Sequence, residues 1–224
     1  MKRIGITQRV VYLEDIDERR DMLDQRWYDF AEEIGVRLIP IPNNLENVVS
    51  YIDELKLDGF IFSGGNNVGI FGDSLIEGKT IEDDDVAYER DKTEKTIIEW
   101  SVKKAKPIIG VCRGLQFINA YFSGVQDSVN PDIHVAKDHE ILFRDEDWEK
   151  IYNQVSTVNS YHRYGINEDK LADELITTAI YNDRQIEAFK HYKFPLYGIM
   201  WHPERYDIFQ KSDIEFFQQK LNLL

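Results

Sequence analysis

Cysteine is almost missing: this chain of 224 residues holds one, Cys112. A lone thiol rules out an internal disulfide, which agrees with a reducing compartment and leaves the sulfur free for chemistry. Positive charge is in deficit too. Lysine and arginine number 27 against 41 acidic residues, a formal net charge of -14, and a field of that sign repels polyphosphate. Nucleic-acid and anionic-membrane partners are therefore not expected. A small anionic substrate stays compatible if local arginines offset the field. Long apolar runs are also lacking, since no stretch approaches the roughly 18 residues of a membrane span. Met1-Lys2-Arg3 opens a segment too short and too polar for a signal peptide, so we expect a cytoplasmic protein. Repeats, low-complexity tracts and linkers are absent, and the length suits one domain spanning residues 1–224.

What is present is alternation. Ile4-Gly5-Ile6-Thr7 reads as a strand, and Leu23, Trp27, Phe30, Ala31 and Ile34 then share a helix face that stops at Gly35. Arg37 to Pro42 makes a second strand, Leu45 to Leu55 a second helix, and Leu57 to Phe62 a third strand running into Ser63-Gly64-Gly65. Residues 66 to 90 lack a period and carry the acidic run Glu82-Asp83-Asp84-Asp85, which suits a long surface loop that is either simply solvated or a lid. A helix returns from Tyr88 to Ala105 with Ile97, Ile98, Val102 and Ala105 inward, and Pro107 ends it. This order predicts a doubly wound, three-layer α/β fold of flavodoxin-like type, whose mostly parallel strands bind ligands at their carboxyl ends. Strand-like runs then crowd residues 141–143, 154–158, 175–180, 185–189 and 196–200, so antiparallel strands should extend the sheet. A final helix carries Ile214, Phe217, Leu221 and Leu224 on one face.

Chemistry concentrates at Gly110-Val111-Cys112-Arg113-Gly114-Leu115-Gln116. A short apolar strand stops at the cysteine and a helix starts at once, with glycines on either side to let a sharp turn close. The helix N-terminus would aim free N–H groups at the sulfur and favour thiolate. A free cysteine is otherwise most often a small buried apolar residue. His202, in Met200-Trp201-His202-Pro203-Glu204, can supply a base after an apolar strand, and alternate residues of an extended segment face the same way, which would let Glu204 orient the ring. The oxyanion donors should be backbone amides, one of Arg113 and one from Gly64-Gly65, although a glycine pair alone equally makes a plain turn. A metal site is not expected: with one cysteine, no C-x-x-C or H-x-x-x-H, and His134 and His139 five apart, ligands are missing at usable spacing. No phosphate-loop motif occurs.

Together with Asp58 to Gly65, Val158-Asn159-Ser160-Tyr161-His162 and Ile186-Glu187-Ala188, these stretches make the chain resemble the class I glutamine amidotransferase superfamily, in its γ-glutamyl hydrolase (peptidase C26) branch. The resemblance implies a Cys112, His202, Glu204 triad, a glutamyl thioester, an oxyanion hole from the Gly65 and Arg113 amides, and no cofactor. It implies that Gln116, Ser160, Tyr161 and His162 hold the α-amino and α-carboxylate groups of a small γ-glutamyl substrate, with Gly64 and Asn66 also facing it. The branch usually has proline before the glycines and aspartate after them, where this chain has Ser63 and Asn66-Asn67. Arg113, Arg163 and Arg205 flank the expected cleft as candidate phosphate donors. Other readings are a glutaminase subunit feeding ammonia to a synthase, though no synthase domain is fused here and an obligate partner is not expected, and a non-catalytic nucleotide or flavin module.

Overall fold

The computed structural model describes residues 1–69, 85–182 and 184–224. Most of the acidic 66–90 segment lies outside the described residues. The chain runs β1 (Arg3–Thr7), β2 (Arg9–Leu13), β3 (Glu18–Met22), α1 (Arg26–Ile34), β4 (Arg37–Ile41), α2 (Val48–Leu55), β5 (Gly59–Phe62), α3 (Tyr88–Lys104), β6 (Ile108–Val111) and α4 (Arg113–Tyr121). It continues through β7 (Asp127–Ser128), α5 (Pro131–His134), β8 (Val135–Phe143), α6 (Glu146–Tyr152), β9 (Val155–Tyr161), β10 (Tyr164–Gly165), β11 (Leu175–Tyr181), β12 (Gln185–His191), β13 (Leu196–Ile199) and α7 (Lys211–Lys220).

The described residues build a nine-stranded sheet in the order β4-β1-β5-β6-β13-β12-β11-β8-β9. Pairing is parallel from β4 to β13 and antiparallel from there to β9. The fold is thus mostly parallel α/β with an antiparallel extension. Strands β5 and β6 are buried at every residue, which is why their sequences read as unbroken apolar runs and not as alternation. Helix α1 buries Trp27, Phe30, Ala31 and Ile34 and ends at Gly35, whose φ of 81° is the left-handed conformation that glycine adopts without strain. Phe30 meets Phe217 of α7 edge to face at 5.0 Å. Helices α2 and α3 also pack together, and Trp100 Nε1 donates to Asp53 Oδ1 at 3.2 Å.

Several sequence expectations change. A hairpin, β2 with β3, intervenes between β1 and α1; every residue of β3 is exposed, so no apolar face announces it. Helix α6 stands between β8 and β9, its first turn capped by Asp145, which accepts from the Asp147 and Trp148 amides. Ala105 is not inward: it is exposed and ends α3 with φ 52°. Leu224 is exposed beyond α7.

Candidate active site

Cys112 sits between β6 and α4 with φ 52° and ψ -105°, a conformation costly for a residue with a side chain. The flanking glycines make the turn possible. A Cβ on Gly110 would stand 2.5 Å from the Gly114 carbonyl carbon, and one on Gly114 would stand 2.2 Å from the Phe62 carbonyl oxygen. The Cys112 amide donates to Ile199 O at 2.8 Å, tying the elbow to the end of β13. Three residues on, that same strand exit delivers His202.

Burial alone would lower the affinity of the His202 ring for a proton. The Glu204 carboxylate and a hydrogen bond with Cys112 outweigh it and raise His202 to about 9. Nδ1–H donates to Glu204 Oε1 at 2.7 Å, which fixes the tautomer and turns Nε2 to the sulfur. His202 itself is extended, but Glu204 reaches it from a single 3₁₀ turn over Pro203–Arg205 and not from a continuing strand. The main chain of His202 is held by Asn159, a residue without an assigned role in the sequence reading. Tyr161 meets the imidazole edge to face at 5.7 Å.

A buried cation network shapes the opposite lip. Arg90 donates to the carbonyls of Ser63, Gly64 and Gly65 and pairs with Glu94. With three carbonyls turned back toward Arg90, the Gly65 amide is left toward the cleft; its φ is 82°. Among the described residues neither the Gly65 nor the Arg113 amide donates to another protein group. The Arg113 side chain departs from expectation: its guanidinium is buried and pairs with Asp91 and Glu94, so it is not available to a phosphate. Arg9, Arg163 and Arg205 line the cleft instead.

That cleft, about 210 Å³, is bounded by Gly65, Asn66, Cys112, Gln116, Tyr161, His162 and His202. Gly64 lies against the His202 ring, where a Cβ would come within 2.7 Å of Cε1. Asn66 is spent on structure, accepting from the Val10 amide and donating to its carbonyl at 2.8 Å each. Gln116 Nε2 donates to Tyr164 O at 2.8 Å. Ser160 does not join the cleft: its buried hydroxyl donates to His134 O at 2.8 Å. His162 lines the wall with Nδ1 on Tyr164 O at 3.0 Å, and burial lowers it to about 4, so it is neutral. His134, His139 and Glu187, which lack ligand spacing in the sequence, stand with one nitrogen or oxygen of each within 4.8 Å of the others.

A mostly parallel α/β sheet with a strained cysteine elbow facing a His–Glu pair defines the class I glutamine amidotransferase fold. The glutaminase domain of CTPS from Trypanosoma brucei, with bound acivicin, matches 100% of this chain and 94% of its own at a TM-score of 0.68 and 15% identity. A glutamine amidotransferase from Thermotoga maritima matches 99% of this chain and 84% of its own at 0.62 and 15%. Within that fold, the model of the Peptidase C26 family covers residues 4–204, and the chain belongs to this family of hydrolases. It is 32% identical over 204 residues to the gamma-glutamyl-CDP-amidate hydrolase of Campylobacter jejuni, covering 90% of each. Among the described residues no helix is long and apolar enough to cross a membrane.

Proposed function

We propose that the protein hydrolyses a γ-glutamyl N-linked bond through a glutamyl thioester on Cys112, with γ-glutamyl-CDP-amidate as substrate and L-glutamate and cytidine diphosphoramidate as products, a step of capsule biosynthesis. The observation that carries this reading is the single imidazole, His202, which donates from Nδ1 to Glu204 Oε1 at 2.7 Å and lines the same cleft as Cys112. The sulfur, its proton on His202, attacks the γ-carbonyl carbon, and the carbonyl electron pair moves to oxygen between the Gly65 and Arg113 amides. Collapse breaks the C–N bond as His202 returns the proton to the departing nitrogen. Water then gives a proton to His202 and its oxygen to the thioester, and glutamate leaves with the sulfur restored. Gln116 keeps its amide oxygen for the substrate ammonium, because its nitrogen is spent on Tyr164 O.

Support for an anionic leaving group comes from Arg9, Arg163 and Arg205 around one cleft in a chain of net charge -14. The named relative favours the same leaving group. The test is glutamate release from γ-glutamyl-CDP-amidate, glutamine and a γ-glutamyl anilide, with native and Cys112→Ala protein. We expect the first to be cleaved fastest, a trapped glutamyl adduct on Cys112, and no turnover by a folded Cys112→Ala. Full activity in that variant ends the proposal. Preferential turnover of free glutamine, rising with a synthase partner, would favour an ammonia-delivering glutaminase subunit instead.

A further inference from the structure

Behind the cleft wall lies a cluster of chemistry-bearing side chains that the hydrolysis does not use. His134 ends α5, His139 lies in β8 and Glu187 in β12, and one ligand atom from each stands within 4.8 Å of the others. His139 Nε2 is 3.5 Å, and His162 Nε2 3.8 Å, from the same oxygen, Glu187 Oε1. All four residues are buried. Among the described residues, both oxygens of Glu187, both ring nitrogens of His139, Nδ1 of His134 and Nε2 of His162 have no hydrogen-bond partner. A buried carboxylate without a donor is among the costliest groups a fold can hold, and native interiors rarely leave several polar atoms orphaned around one point.

The surroundings hold these side chains as ligands are held. The Nδ1–H of His162 is committed to Tyr164 O, which turns the Nε2 lone pair toward Glu187; a backbone carbonyl fixing the tautomer in this way is the usual support of a ligating imidazole. His139 is fixed by stacking on Tyr181, ring centroids 4.4 Å apart. The His134 carbonyl accepts from the Ser160 hydroxyl and the His162 amide, at 2.8 and 3.0 Å, which anchors α5 against β9.

We infer that His134, His139 and Glu187 bind one divalent transition-metal ion of the zinc class, with a further position open to His162 or a water. Two imidazoles and a carboxylate suit zinc, whereas magnesium and calcium take oxygen ligands. The ion is structural: it neutralises Glu187 in place and ties α5, β8 and β12 together behind the wall that carries Tyr161, His162 and Gln116. The inference is independent of the proposed reaction.

The test starts with protein produced in zinc-supplemented medium, desalted without chelator, and analysed for metal by plasma mass spectrometry. About one equivalent of zinc per chain is expected, falling roughly tenfold or more in Glu187→Gln and in His139→Ala. Cys112, His202 and Glu204 also offer sulfur, nitrogen and oxygen donors, so Cys112→Ser is the control and keeps its metal. Cobalt(II) in place of zinc gives visible ligand-field bands without a thiolate charge-transfer band. Chelator lowers the melting temperature of native protein and zinc restores it. A metal-free native protein that neither takes up zinc nor is stabilised by it overturns the inference, and so does metal lost with Cys112→Ser. Native metal content and the cobalt spectrum decide even if a ligand variant fails to fold.

Discussion

The side chain of Asn159 and the main chain of His202 exchange two hydrogen bonds of 2.8 Å: Nδ2 donates to the His202 carbonyl, and the His202 amide donates to Oδ1. Asn159 belongs to β9 at one edge of the sheet, while His202 follows β13 near its middle. A side chain from the edge strand of the antiparallel half therefore holds the backbone of His202. The Asn159 amide is itself held by the Tyr206 hydroxyl at 3.0 Å.

Asn159→Ala leaves a buried N–H and a buried C=O without partners, each costing about 1–3 kcal/mol. The melting temperature should fall. With the ring free to drift, kcat should drop by about 10- to 100-fold, with KM little changed. Thermal denaturation and steady-state kinetics on a γ-glutamyl substrate check both, and an unaltered kcat would remove Asn159 as a positioning residue.

How much of this was legible follows from how local each signal is. Gly110, Cys112 and Gly114 lie within one turn, and His202 and Glu204 are two apart, so short-range pattern reveals them. The hairpin β2–β3 escaped because its outer strand is Glu-Arg-Arg-Asp-Met, with no face to bury. Asn159 escaped because it acts on a backbone 43 positions away. The Arg113 side chain departs from expectation for the same reason: chain position puts it beside Cys112, but Asp91 and Glu94 of α3 draw its guanidinium inward. His134, His139 and Glu187 show no ligand spacing because three separate elements assemble them.

His202 gives a pH dependence with a definite sign. Its folded value, about 9, lies above the unfolded reference of about 6.5. The stabilisation from its partners is therefore complete below the unfolded value and is lost as pH rises through about 9. In the proposed mechanism the ring gives that proton to the leaving nitrogen, so kcat/KM should descend an alkaline limb near 9. Glu204→Gln removes the carboxylate and should move that limb to lower pH. A pH–rate profile of both proteins measures it; an unmoved limb contradicts the assigned roles.

Gly64 separates catalysis from folding. An added Cβ would meet His202 Cε1 at 2.7 Å, and the ring must shift on the scale that costs about 100-fold in rate. Gly64→Ala should lose that much kcat/KM while unfolding within a few degrees of native protein. Gly114→Ala should instead fail to fold, because its Cβ meets backbone, the Phe62 carbonyl oxygen at 2.2 Å. Expression and circular dichroism of the two variants together test the contrast.

Arg90 is fully buried and its one guanidinium serves three consecutive carbonyls and Glu94. Removing one member of a buried ion pair costs about 3–5 kcal/mol, so Arg90→Met should unfold readily. Arg90→Lys keeps the charge but not the planar fork; it should regain part of the stability while kcat stays depressed, because the Gly65 peptide is no longer fixed. Recovery of both together would mean that Arg90 acts by charge alone.

Arg205 tests the leaving group. Its guanidinium lies 4.3 Å over the Tyr161 ring at the cleft mouth; its side chain is 38% exposed, and its Nε pairs with the buried Glu204 Oε1 at 3.7 Å, so the outer end of the fork is the part positioned to meet a substrate phosphate. Losing one charge-assisted hydrogen bond of about 1.5 kcal/mol should raise KM for γ-glutamyl-CDP-amidate about tenfold in Arg205→Ala. A γ-glutamyl anilide presents no phosphate, so its KM should stay level. Raising the salt concentration should weaken the native enzyme's binding of the phosphate substrate more than the variant's, since the variant has already lost a charge that salt screens. Equal KM increases for both substrates would assign Arg205 to the glutamyl end, and the diphosphate reading would lose its local support.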